Sequence, residues 1–305
     1  MKKSLYSLVT FSLFFSLVSC DSLRQEVNPD KLNREAAKLV VTCFLSPQDT
    51  VLAVKVTRSQ PILVESTNTS SSNTAVNVPD ATVTLSEGGR TATLRYDARL
   101  GYYRAAISQL PVLAGRVYST VIQTPAGERA EASCTVPEPV AMTSVVLDSI
   151  TENQFGRQIK RYFVRSRWQD PAGQANSYLT TGTYSFLVND PRTPGREQFG
   201  YLSLGDNNSN GLLTDRNTDG QEMISERLFM SSLYYGNNSQ HKITSVLTGL
   251  LTIDQAYYQY QDAIARQSKV LGNPFAEPVP IPSNVRGALG CFAGYNRSTL
   301  TVKLK

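Results

Sequence analysis

Between Leu39 and Val136 the chain breaks into short segments that alternate apolar and polar residues, each closed by a turn signal. That rhythm restricts the region to a fold made of antiparallel hairpins. Leu39-Val-Val-Thr-Cys-Phe44 reads as a first strand and Ser46-Pro47-Gln48-Asp49 as a turn. Over Thr50 to Arg58, Leu52, Val54 and Val56 face one way and Ala53, Lys55 and Thr57 the other. Ser66 to Asn73 has no apolar face and reads as an exposed loop. Ala81 to Leu85 and Thr91 to Tyr96 flank the turn Glu87-Gly88-Gly89; Gly101-Tyr102-Tyr103 opens another strand. Arg116 to Thr124 and Glu128 to Val136 flank Pro125-Ala126-Gly127. Such spacing predicts an immunoglobulin-like β-sandwich over 38–137. Pro137-Glu138-Pro139 cannot continue a strand and marks a boundary.

The region 138–305 reads as a second β-rich domain. Strands are expected at Thr143–Ile150, Lys160–Trp168, Tyr178–Val188, Phe199–Leu204, Glu226–Ser231 and Lys242–Leu251. One α-helix is predicted near 253–271: Thr252 and Gln255 have capping-box spacing, and Ile253, Ala256, Tyr257, Tyr260, Ile264 and Leu271 share a face. Gly272 and Pro274 stop it. The prolines from Pro274 to Pro282 then force an extended strap over a sheet edge or across the core, and glycines allow bends before a last strand, Ser298 to Leu304. The predicted fold class is mainly β.

The N-terminus carries Lys2 and Lys3, an apolar run from Leu5 to Val18, and the sequence Leu17-Val18-Ser19-Cys20. This is the pattern of a lipoprotein signal peptide over 1–19, with Cys20 lipidated by palmitate-type acyl chains and 20–37 a flexible tether. The expected site is the outer membrane, held through that lipid, on either its periplasmic or its cell-surface face. The formal charge of +5 includes Lys2 and Lys3, so the mature value is 5 − 2 = +3. That is too little, and too scattered, for nucleic acid.

With Cys20 lipidated, Cys43, Cys134 and Cys291 remain. A Cys43–Cys134 disulfide would join the first and last strands of a sandwich; the other reading is two buried thiols. Cys291 reads as a buried free thiol. Asp215, Asn217 and Asp219, with Gly220, Gln221 and Glu226, follow the spacing of a calcium-binding EF-hand loop, and 206–211 repeats its first half. Against calcium, neither flank is helical, Glu222 stands where the loop has an apolar residue, and surface turns favour the same residue types. His241 is the only histidine and there is no Gly-x-Ser-x-Gly elbow, so no catalytic signature is found. The chain is therefore expected not to be an enzyme. A carboxylate-based hydrolase stays as the lesser alternative, since fold sets such pairs.

Five stretches together resemble a family of Bacteroidota lipoproteins catalogued as domain of unknown function 4249. They are Ser59-Gln60-Pro61, Pro79-Asp80-Ala81-Thr-Val-Thr-Leu-Ser86, Gly101-Tyr102-Tyr103, Trp168-Gln-Asp170-Pro-Ala-Gly173, and the C-terminal block from Asn273-Pro-Phe to Gly294-Tyr-Asn296. The resemblance covers nearly the whole mature chain and implies an outer-membrane lipoprotein working beside a TonB-dependent transporter. Cys43 and Cys291 stand where glycine or an apolar residue is expected, so no family pattern supports the disulfide. The expected function is a lipid-anchored accessory or binding protein of the cell envelope, with a structural or adhesive surface lipoprotein as the alternative.

Overall fold

The first eight strands run β1 (Leu39–Leu45), β2 (Val51–Arg58), β3 (Val76–Asn77), β4 (Thr82–Glu87), β5 (Arg90–Asp97), β6 (Tyr102–Ala106), β7 (Val117–Gln123) and β8 (Arg129–Thr135). They come from a computed structural model that describes residues 36–59, 75–154, 156–188, 195–205, 210–230, 241–270, 273, 275–277 and 279–304. The expected lipobox and tether, the Ser66–Asn73 loop and the helix stop at Leu271–Gly272 lie outside the described residues.

Period-2 alternation places Leu39, Val41, Cys43 and Leu45 of β1 inward. One layer is β1-β2-β6 and the other β4-β7-β8. β5 joins them, pairing with β4 through Arg90–Leu94 and with β6 through Arg95–Asp97. Between the layers lies one continuous core containing Val54, Leu85, Tyr118, Ile122 and Phe292. Buried tyrosines fasten its connections. The Tyr103 hydroxyl donates to the Val78 carbonyl (2.7 Å) and accepts the Ala81 N–H (2.8 Å). Tyr118 does the same with the Pro111 carbonyl (2.9 Å) and the Leu113 N–H (2.8 Å). A buried hydroxyl so satisfied avoids a desolvation cost of about 1–3 kcal/mol.

The remaining strands are β9 (Met142–Gln154), β10 (Arg157–Gln169), β11 (Ser177–Val188), β12 (Glu197–Leu204), β13 (Leu212–Thr214), β14 (Glu222–Ile224), β15 (Leu228–Met230), β16 (His241–Ile253) and β17 (Leu289–Lys303); helix α1 spans Gln255–Val270. β9 and β10 form a long hairpin extended by β14 and β15. β11, β13, β16 and β17 form a facing sheet, and β12 pairs into both through β15 and β11. The interior is divided. One cluster gathers Val164, Tyr184, Phe186, Leu228, Met230 and Val246. A second gathers Val140, Trp168, Tyr178, Met223 and Leu250.

The last strand differs from the expectation. β17 begins at Leu289, not Ser298, and its glycines are close contacts within a strand rather than bends before one. Leu289–Gly294 pair in parallel with β1, and Tyr295–Lys303 pair antiparallel with β16, so one strand belongs to both halves. At Gly290 (φ 115°) an added Cβ would fall 1.9 Å from the Val41 carbonyl oxygen; at Gly294 it would fall 2.7 Å from that of Thr135. Only glycine fits either place. Ahead of β17, the Asn284 side chain accepts the Phe292 N–H (2.9 Å) and donates to the Phe292 carbonyl (2.7 Å), imitating a strand neighbour. The strap reaches β8 where Arg286 and Glu131 exchange both main-chain hydrogen bonds. Cys43, Cys134 and Cys291 are all buried free thiols, so the Cys43–Cys134 disulfide is not formed. Burial raises all three thiols, Cys291 to about 12, which keeps them protonated and unreactive.

Candidate functional site

A cleft of ≈ 860 Å³ opens where the two halves meet. Four segments build it: the extended stretch Thr135–Val140, the turn Pro171–Ser177, residues Thr214–Arg216, and the end of β16 with the first turn of α1. Its size is that of a small-molecule site.

The helix wall is set by its cap. The predicted Thr252 cap is not used, because β16 continues through Ile253 and holds Thr252 in register with Tyr178 and Asn296. Asp254 caps instead, its Oδ1 accepting the Tyr257 N–H (2.8 Å) and its Oδ2 the Gly294 N–H (2.8 Å). Burial pushes the Asp254 carboxyl above the usual carboxylate range, against the pull of the Tyr257, Gly294 and Ala256 N–H groups. From this start Tyr257 and Tyr260 pack on Phe44, at centroid distances of 4.8 and 6.2 Å. Gln255, Tyr258 and Gln259 fall on the cleft side. Ile264, placed on the buried face by periodicity, is 37% exposed.

The opposite wall is held by carboxylates. Oxygens of Asp170, Asp215 and Asp219 lie within 4.8 Å of one another. Asp170 and Asp215 are buried. Asp170 accepts the Tyr178 hydroxyl (2.5 Å) and the Gly220 N–H (2.9 Å). Asp215 accepts the Asn176 N–H (2.7 Å), and Asp219 the Gly173 N–H (2.8 Å). Desolvation, then the bond to Asp170, pushes the Tyr178 phenol well up, so it stays a donor. Trp168, fully buried, stacks edge-on to Tyr178 at 5.2 Å behind this wall.

This arrangement places the predicted calcium-loop residues. Asp215 and Asp219 come together, joined by Asp170 from the end of β10. Glu226 is not among the gathered carboxylates, and Asn217 and Gln221 are exposed. The Gln221 carbonyl, at the loop position that offers a main-chain oxygen to the ion, instead accepts the Asp170 N–H (3.0 Å). Glu222 enters β14 and pairs with Arg167 (2.9 Å). The aspartates thus act as acceptors that lock two turns together. His241 starts β16; residues 206–209 lie outside the described residues.

Sequence reasoning missed the cleft itself. The signals were present in Trp168-Gln-Asp170-Pro-Ala-Gly173, which leads into the Pro171–Ser177 wall, and in Gly290–Asn296, whose Gly294 anchors the helix cap.

Fold and site together define a mainly β protein in which two β regions share a strand and border a cleft of mixed polar and apolar lining. The chain belongs to the family described as domain of unknown function (DUF4249), whose profile matches residues 24–301. No curated protein matches it.

Proposed function

We propose that the chain is a lipid-anchored accessory or binding protein of the cell envelope, held to the outer membrane through Cys20 and working beside a TonB-dependent transporter. The observation that carries this reading is Leu17-Val18-Ser19-Cys20 behind a basic end and an apolar run. More than one acyl chain at Cys20 gives stable anchoring. The described residues contain no helix long and apolar enough to cross a membrane. A cleft walled by a helix and paired strands gives the anchored body a rigid place to bind.

Metabolic labelling with a palmitate analogue tests the anchor. The wild-type chain takes up label and partitions into detergent, and Cys20→Ser does neither; equal labelling of both removes the anchor. Purification from the native envelope through a tag after Lys305 tests the partner. Stoichiometric recovery of an outer-membrane transporter supports the accessory role, whereas recovery of the lipoprotein alone favours an autonomous surface protein.

A further inference from the structure

The cleft mixes apolar side chains, among them Pro137, Pro139 and Pro171, with polar ones that have no partner among the described residues. The side chains of Gln174, Arg216, Gln255, Tyr258 and Gln259 line it without a hydrogen bond to any other described residue. Thr252 also lines it, is 2% exposed, and its hydroxyl has no partner. A buried hydroxyl without a partner costs about 1–3 kcal/mol, which a ligand donor or acceptor would offset.

The charges narrow the ligand. Glu138, Asp215 and Asp254 stand against Arg216, so an anion meets net repulsion. A cation finds half-buried Asp254 and buried Asp215 already engaged: Asp254 holds Tyr257 and Gly294, and Asp215 holds Asn176. The open groups are three amides, a phenol and the Arg216 guanidinium, with the Thr252 hydroxyl buried behind them. Amides and hydroxyls donate and accept together, as do neighbouring hydroxyls on a sugar ring. Tyr258 adds a flat apolar face for stacking, and the rings of Pro137, Pro139 and Pro171 add further apolar surface for the faces of a sugar.

We propose that this cleft binds a neutral, hydroxyl-rich ligand, a short oligosaccharide, between the first turn of α1 and the Pro171–Ser177 turn. The proposal rests on the binding-protein reading and names what is bound.

The test is binding of the purified full-length lipoprotein to a broad glycan array, followed by calorimetry with each retained oligosaccharide. At least one neutral glycan is retained, and Gln255→Ala with Gln259→Ala weakens it by about tenfold or more, roughly the loss of one or two hydrogen bonds. The melting temperature of that variant stays at the wild-type value, since neither side chain has a hydrogen-bond partner among the described residues. Phe199→Ser, at an aromatic pair 71% exposed on β12, leaves binding unchanged. Retention of no glycan by the folded protein overturns the proposal. So does retention of anionic glycans only, equal binding by the double variant, or loss with Phe199→Ser. Palmitate labelling of the same preparation reads the anchor separately, so failure of one does not imply failure of the other.

Discussion

The two halves solve the same packing problem differently. The first encloses one continuous core, and its acidic partners lie outside: Glu128 grips Arg58 bidentately (3.0 and 2.5 Å), and Glu131 pairs with Arg129 and Arg286. The second splits its interior into two small clusters and brings acids inward, at Asp170 and Asp215, beneath the cleft. A β region with a single core rejects buried charge. One with a divided core tolerates it where turns must be held, because each carboxylate oxygen can take main-chain N–H groups that would otherwise be unpaired. The cleft lies at the seam, with most of its lining drawn from the divided side.

The sharpest way to break the comparison is at the strand common to both halves. Gly290→Ala sets a Cβ against the Val41 carbonyl. Its expected cost exceeds about 4 kcal/mol, at the exceptional end of single substitutions. Calorimetry then shows either loss of the whole transition or, should the halves hold independently, a second transition that keeps the wild-type temperature. Phe292→Ala, fully buried in the first core, costs about 3–5 kcal/mol in urea unfolding and leaves the turns around Asp170 intact.

Asp170→Ala sharpens the contrast from the other side. It leaves the Tyr178 hydroxyl and the Gly220 N–H without their acceptor, at about 1–3 kcal/mol for a buried group. It also loosens the Pro171–Ser177 wall, so ligand binding falls with stability, unlike in Phe292→Ala. A melting temperature within error of wild type would mean that the carboxylates hold nothing.

Titration separates the regions by sign. Burial raises Asp254, so the native state holds its proton more tightly than the unfolded chain. Its contribution is fully present in acid and is lost as pH rises from the unfolded carboxylate range through the folded value. Glu128 runs the other way: the bond from Arg58 lowers it, so its contribution is present near neutrality and fades as pH falls through the folded value. Asp254→Asn keeps an N-cap and flattens the first dependence in melting curves taken across the acid range, while Asp49, also raised by burial, keeps its own share. Glu128→Gln is the smallest effect, well under about 1 kcal/mol and abolished by salt.

Much of the architecture is legible in the sequence. Strands β1, β2, β4, β5, β7 and β8 announce themselves by alternation and flanking turns, since one face of each meets a single core. β13 and β14 do not: with three residues each, periodicity has too little to act on. The helix is legible from its tyrosines, but its cap is displaced by two residues, because pairing of β16 with β11 and β17 overrides the local Thr252–Gln255 signal. Asp215 and Asp219 stand out as neighbours in the sequence. Asp170 joins them only through the fold, which makes a cluster of three carboxylates that also locks two turns. The C-terminal glycines are readable as special, yet the reason is a parallel neighbour far away in the sequence.

That neighbour sets an order of events. β1 is synthesised long before β17, yet Val40 lies beside Leu289. The first sheet stays one strand short, with an open edge, until β17 has arrived. Long-range closure of this kind slows folding and postpones it. The cleft is likewise assembled only after β17 seats, because the Gly294 N–H is what holds the Asp254 cap of α1 in place.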